Sequence, residues 1–169
     1  MFKQDDYVVF KKNICKVKEI KEKYYGDMDY YILSPIEDES LTISLPVEDK
    51  NGIIRSIMTK QEVEDLINSI PNIEIVDSSG SKPIIYIYKD LITTGKHEDL
   101  IRIIKTAYLR NETKTMDGKK AGATDTNYLK LAEQSLYNEL SIVLGLSYEQ
   151  TKKYVHNKVE ELQEISLDK

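Results

Sequence analysis

Apolar and polar residues follow two different periods along this chain, and the change falls after about residue 57. Before it, apolar residues come in short runs or alternate. Tyr7-Val8-Val9-Phe10 is a run of β-forming residues, with a turn candidate after it at Lys11-Lys12-Asn13. Cys15 and Val17, and in part Ile14 and Ile20, mark a second strand. Tyr24-Tyr25 and Tyr30-Tyr31-Ile32-Leu33 flank Gly26-Asp27-Met28-Asp29, which reads as a hairpin tip. After a second turn region, Ser34 to Ser40, the residues Leu41, Ile43, Leu45 and Val47 alternate with Thr42, Ser44 and Pro46. That is the period of a strand with one buried face. Proline has no amide hydrogen to give to a ladder, so Pro46 belongs at a strand end or a sheet edge. Four or five short strands joined by tight turns predict a small barrel or curled sheet.

The second part is helical. Thr59-Lys60-Gln61-Glu62 has the form of a capping box, and the helix it opens ends before Pro71. Pro71 to Pro83 contains Asp77-Ser78-Ser79-Gly80-Ser81, a polar stretch that reads as a linker and places the domain boundary. Ile84 to Thr94 predicts a helix stopped by Gly95, although its Ile-Tyr repeats also suit a strand. His97 to Asn111 sets Leu100, Ile103, Ile104, Ala107 and Tyr108 on one face. Glu112 to Ala123, with Gly118 and Gly122, reads as a loop. Asp125 to Leu144 repeats the helical spacing at Leu129, Ala132, Leu136, Leu140 and Val143, and Gly145 closes it. Ser147-Tyr148-Glu149-Gln150 is a second capping box, opening a last helix to about Glu164. The expected organisation is residues 1–70 as a β module, 71–83 as a linker and 84–169 as a helical domain.

Composition narrows the function. The chain is charged enough to be soluble and apolar enough to fold. No apolar run approaches the ~20 residues that cross a bilayer, and the acids Asp5 and Asp6 leave no room for a secretory leader. Cys15 stands alone, which fits a reducing cytoplasm. With only His97 and His156 beside it, no metal site is expected. The net charge is −5, yet residues 82–120 hold nine bases and five acids, a local net of +4. Such a zone can approach phosphates or serve as a solvated helix face. Gly118-Lys119-Lys120 lacks the upstream glycine of a nucleotide-binding loop. No serine sits in a nucleophile elbow, and no cysteine–histidine pair is placed for covalent catalysis. Glu37-Asp38-Glu39 reads as a solvated turn rather than a cation site. The expectation is therefore a protein that is not an enzyme, with no cofactor, no small-molecule substrate and no membrane.

An ordered set of residues then carries a resemblance. The first strand (Phe2-Lys3, Asp6, Val8-Val9), the pairs Lys16-Val17 and Glu19-Ile20, and Leu41-Thr42-Ile43-x-Leu45-Pro46 resemble the start of the CarD family of bacterial transcription regulators. The same module occurs in transcription-repair coupling factors, which are far longer and carry helicase motifs absent here. In the second half, Thr94-Gly95, the apolar face from Leu100 to Tyr108, and Leu129-x-x-Ala132-x-Gln134-x-Leu136-x-x-Glu139-Leu140 resemble the family's helical domain. The resemblance implies an α+β protein: a small Tudor-like β-barrel that binds the β subunit of bacterial RNA polymerase, followed by an all-α domain that touches promoter DNA and stabilises the open complex. A polymerase strand pairing with a free Leu41–Val47 edge that ends at Pro46 would meet Thr42 and Ser44, and Lys23 falls near a second contact position of the family. For promoter phosphates the chain offers Lys82, Lys89, Lys114, Lys119 and Lys120, with Tyr86 or Tyr88 as an aromatic substitute for the family's wedge.

The chain also departs from the family. Typical members have an arginine where Ser44 stands, and a second near Lys23 or Tyr24. Their tryptophan wedge aligns near Ser81 or Lys82, and no tryptophan is present. Glu133 stands where an arginine is usual. Those departures keep a second reading open, a Tudor-like interaction adaptor with little or no DNA contact.

Overall fold

The computed structural model describes residues 1–48 and 51–167. The chain is α+β and divides into two compact units, Met1–Ile57 and Met58–Lys169.

The first unit is a five-stranded antiparallel sheet of β1 (Tyr7–Phe10), β2 (Asn13–Tyr25), β3 (Met28–Pro35), β4 (Ile43–Pro46) and β5 (Ile54–Ser56). The strand order is β4-β3-β2-β1-β5. The two expected segments at Ile14–Ile20 and Tyr24-Tyr25 are one thirteen-residue strand. Bulges between Val17 and Glu19 and between Lys21 and Tyr25 let β2 bend without ending. One face of the sheet buries Val8, Cys15, Val17, Tyr31, Leu33 and Leu45. Each large side chain fully buried there contributes about 1.5–3 kcal/mol. The chain start joins this core. The Phe2 amide donates to the Tyr31 hydroxyl at 3.0 Å, and the two rings meet edge to face. The sheet is open: among the described residues β4 and β5 are its two edges, and no ladder between them closes it into the expected barrel.

The second unit contains α1 (Lys60–Ser69), a 3₁₀ turn (Ile70–Asn72), α2 (Ile84–Thr94), α3 (His97–Met116), α4 (Ala123–Leu144) and α5 (Tyr148–Leu167). Both capping boxes form. The Thr59 hydroxyl accepts from the Glu62 amide, and the Thr59 amide donates to the Glu62 carboxylate at 2.7 Å. Ser147 and Gln150 exchange the same pair of bonds at 3.0 and 3.1 Å. Gly95 and Gly145 take left-handed conformations at φ 65° and 66°, which end α2 and α4.

Two expectations need correction. α1 belongs with the helical unit rather than the β module, and the linker is shorter than 71–83. Val63, Ile67 and Ile70 fall on one face by helical spacing and, with Ile73 and Val76, enter the core beside α3. Buried Val76 donates its amide to Thr106 Oγ1 at 2.8 Å, so the main chain is tied down beyond Pro71. The exposed polar stretch begins at Asp77. Second, α3 continues through the expected loop to Met116. Glu112 to Met116 contains no helix breaker, and the chain turns only at Gly118, with φ 73°.

Candidate functional site

The sheet edge assembles the residues expected to meet a protein. Tyr30 to Leu33 on β3 pair with Pro46 to Ile43 on β4. The Val47 amide donates to the Asp29 carbonyl at 2.9 Å. Antiparallel bonding alternates, so Leu45 and Ile43 direct their main-chain groups at β3, while those of Ser44 turn outward. Pro46 falls in the outward register as well. Its missing amide hydrogen therefore breaks no bond within the sheet. Leu45 is buried and Ser44 and Thr42 are exposed. Lys23 lies on the far side of β3. Its backbone has φ 47° in the second bulge, and its amide donates to Asp29 Oδ1 at 2.9 Å. Asp29 thus holds Lys23 through its side chain and Val47 through its carbonyl. Two strand spacings separate β2 from β4 here, about 10 Å. Beyond them the hairpin tip exposes Tyr24, Tyr25 and Met28.

In the helical unit the polar centre is Asp125, in the first turn of α4 and only 1% exposed. Tyr88 on α2 donates its hydroxyl to Oδ1 at 2.8 Å. Arg110 on α3 donates through Nε to both oxygens, at 3.0 and 3.2 Å. Lys114, one turn later, reaches Oδ2 at 3.4 Å. Asn111 accepts from the Gly122 amide at 2.9 Å and donates to Thr126. One carboxylate therefore ties three helices. Burial, and then the bond to Asp125, push the Tyr88 phenol above its ordinary range, so it stays a neutral donor.

A second buried carboxylate, Glu139, sits fourteen residues along α4. It accepts from the Met58 amide at 3.0 Å and pairs with His97 Nε2 at 2.8 Å. A third polar tie comes from Lys105, whose ammonium donates to the carbonyls of Ile70 and Ile73. Burial lowers the pKa of this amine. These ties fix the ends of α1 and the 3₁₀ turn.

Most residues expected to meet DNA are exposed. Tyr86 and Lys89, three residues apart, share the outer face of α2 with Ile85. Lys119 and Lys120 occupy the turn between α3 and α4. Because Tyr88 is bound to Asp125, α2 is anchored to the turn of α4 that directly follows those lysines. Lys82, also exposed, forms a surface ion pair with exposed Asp90 at 2.5 Å.

Asp125, Glu139 and Arg110 carry the polar architecture, and none of them stands out as a binding residue in the sequence; Tyr88, an aromatic candidate for DNA, is instead fully buried against Asp125 and cannot reach DNA. One signal was available. Asp125, Ala132 and Glu139 are spaced by seven, so both acids lie on the apolar stripe of α4. A charge on such a stripe requires buried partners.

An apolar groove of ≈ 790 Å³ lies between α3, α4 and α5, lined by Ile101, Ile104, Leu136, Tyr137, Val155 and Val159 among others. Among the described residues no three His, Cys, Asp or Glu side chains gather as a metal site, and no helix is long and apolar enough to cross a membrane. No family model matches this chain, and no curated protein matches it in sequence.

Proposed function

We propose that this chain is a CarD-like transcription regulator, cytoplasmic and without catalysis or cofactor. In this reading the open sheet is the Tudor-like module, and it binds the β subunit of bacterial RNA polymerase by adding a partner strand to the outer edge of β4. The helical unit reaches promoter DNA and tunes the lifetime of the open complex.

The observation that carries the reading is the edge itself. β4 is an outside strand on which exposed Ser44 turns its main-chain groups outward; exposed Thr42 precedes it, and the strand ends at Pro46. Main-chain hydrogen bonds to such an edge supply affinity, and the flanking side chains supply selectivity. A pull-down with the isolated polymerase β subunit tests this. Retention of the full chain at micromolar concentration in low salt is expected, and no retention overturns the reading.

The second reading is an interaction adaptor that leaves DNA alone. Two observations favour it: Lys82, one of the expected DNA lysines, pairs with Asp90, and Ser44 presents no charge at the docking edge. Ser44→Arg separates the two. It strengthens polymerase binding if the CarD-like reading holds and leaves the adaptor's own partner unaffected.

A further inference from the structure

We infer that Arg110 and Lys114 form a preorganised site for a phosphate group beside Gly122. The inference deepens the proposed promoter contact, and it rests on that reading for the source of the phosphate but not for the site.

The charge balance around Asp125 is the starting point. Its buried carboxylate already accepts from Tyr88 at 2.8 Å and from Arg110 at 3.0 and 3.2 Å. Lys114 adds a second full positive charge at 3.4 Å. Two cations thus face one anion, and both cationic side chains are about one-third exposed, at 35% and 36%. Satisfying Asp125 does not require the second cation.

The geometry of Arg110 matters more than its charge. Its bonds to Asp125 run through Nε alone. Among the described residues neither of its Nη atoms has a partner, so four N–H donors remain available in a plane fixed by the buried acid. A planar fork held in one orientation matches two phosphate oxygens, and the ordering entropy of the arginine is already spent. Lys114 uses one long contact and has donors to spare.

Gly122 keeps this arrangement possible. Its backbone is extended at φ −70°, which any residue adopts. A Cβ there would lie 2.5 Å from Lys114 Nζ and 3.2 Å from Asp125 Oδ2. A side chain there would displace the flexible end of Lys114 from its place beside Asp125, so the glycine leaves room for the ammonium rather than supplying backbone freedom. Glu112 lies about 200° round α3 from Arg110 and does not neutralise this face. Lys119 and Lys120, in the adjoining turn, carry the positive surface beyond the span of one phosphate, as a nucleic-acid backbone requires.

The test uses the full chain, inorganic phosphate and a short DNA duplex, with Arg110→Lys and Lys114→Gln. Arg110→Lys keeps a cation on Asp125 but loses the fork, and thermal unfolding checks that both variants fold. Phosphate is expected to shift the Gly122 amide resonance in the parent chain. Each variant is expected to weaken phosphate and duplex binding about tenfold or more, the size of hydrogen bonds to a charged group. Lys114→Gln also lowers the salt dependence of duplex binding by about one ion. Folded variants with unchanged affinities, or a parent chain whose Gly122 resonance ignores phosphate, overturn the site. Duplex binding that persists in both variants overturns the site but leaves the promoter contact standing. Phosphate binding without duplex binding assigns the site to free phosphate and removes the promoter contact.

Discussion

The Tyr88 hydroxyl donates to Asp125 across 2.8 Å, and both residues are withdrawn from water. This bond joins α2 to α4, and Arg110 brings in α3 through the same carboxylate. A buried acid with three donors is stable as a set and costly to break. Asp125→Asn is expected to destabilise the helical unit by about 3 kcal/mol, the lower end for a broken buried pair, because Arg110 and Lys114 can still reach water. Tyr88→Phe is expected to cost about 1 kcal/mol. Urea unfolding of the two single variants and the double variant measures both. The double variant is expected to lose less than their sum, since both variants weaken the same bond.

The alternation along β4 gives a sharper contrast. Ser44→Pro removes an amide that faces outward, and Leu45→Pro removes one that faces β3. The first variant is expected to fold with its near-native melting temperature and to lose polymerase binding. The second is expected to lose the β4 pairing together with the packing of Leu45. Circular dichroism melts with a binding assay on each variant check the pair. Equal damage to folding from both would mean that the register assigned to the edge is wrong.

Much of this was legible in the chain. The switch from alternating to helical spacing, the two capping boxes and the stops at Gly95 and Gly145 are local signals, and the structure contains each of them. What could not be read was tertiary. Residues 59–70 look like a β-module tail, and 71–76 like linker, because a capping box says where a helix starts, not what covers its apolar face. The burial of Ile73 and Val76 depends on α3. The extension of α3 to Met116 was hidden because Gly118 and Gly122 gave the whole stretch a loop-like composition. The open sheet depends on which strands pair, and short strands do not declare their partners. The Asp125 and Glu139 ties were marked only as charges on an apolar stripe. Naming their partners requires knowing which helices meet.

Cys15 reports on the sheet. Burial pushes its thiol up from an ordinary 9.0 to about 11. The folded state therefore favours the protonated thiol, and the unfolded chain gives up its proton first as pH rises. Cys15 is expected to leave stability unchanged below pH 9.0 and to reduce it progressively between 9.0 and about 11. At neutral pH, alkylation by iodoacetamide is expected to be slow in the folded chain and fast in urea. Rapid alkylation without denaturant would contradict the packing of β1 against β2.

The docking edge is the centre of the account, and hydrogen exchange at that edge tests it most directly. The full chain is mixed with saturating RNA polymerase, and deuterium uptake is followed in the peptide covering residues 41–47. Strand addition predicts that the outward amide of Ser44 slows markedly in the complex, while the Leu45 amide, already bonded to β3, changes little. Uptake at residues 41–47 that is unchanged by saturating polymerase contradicts the account.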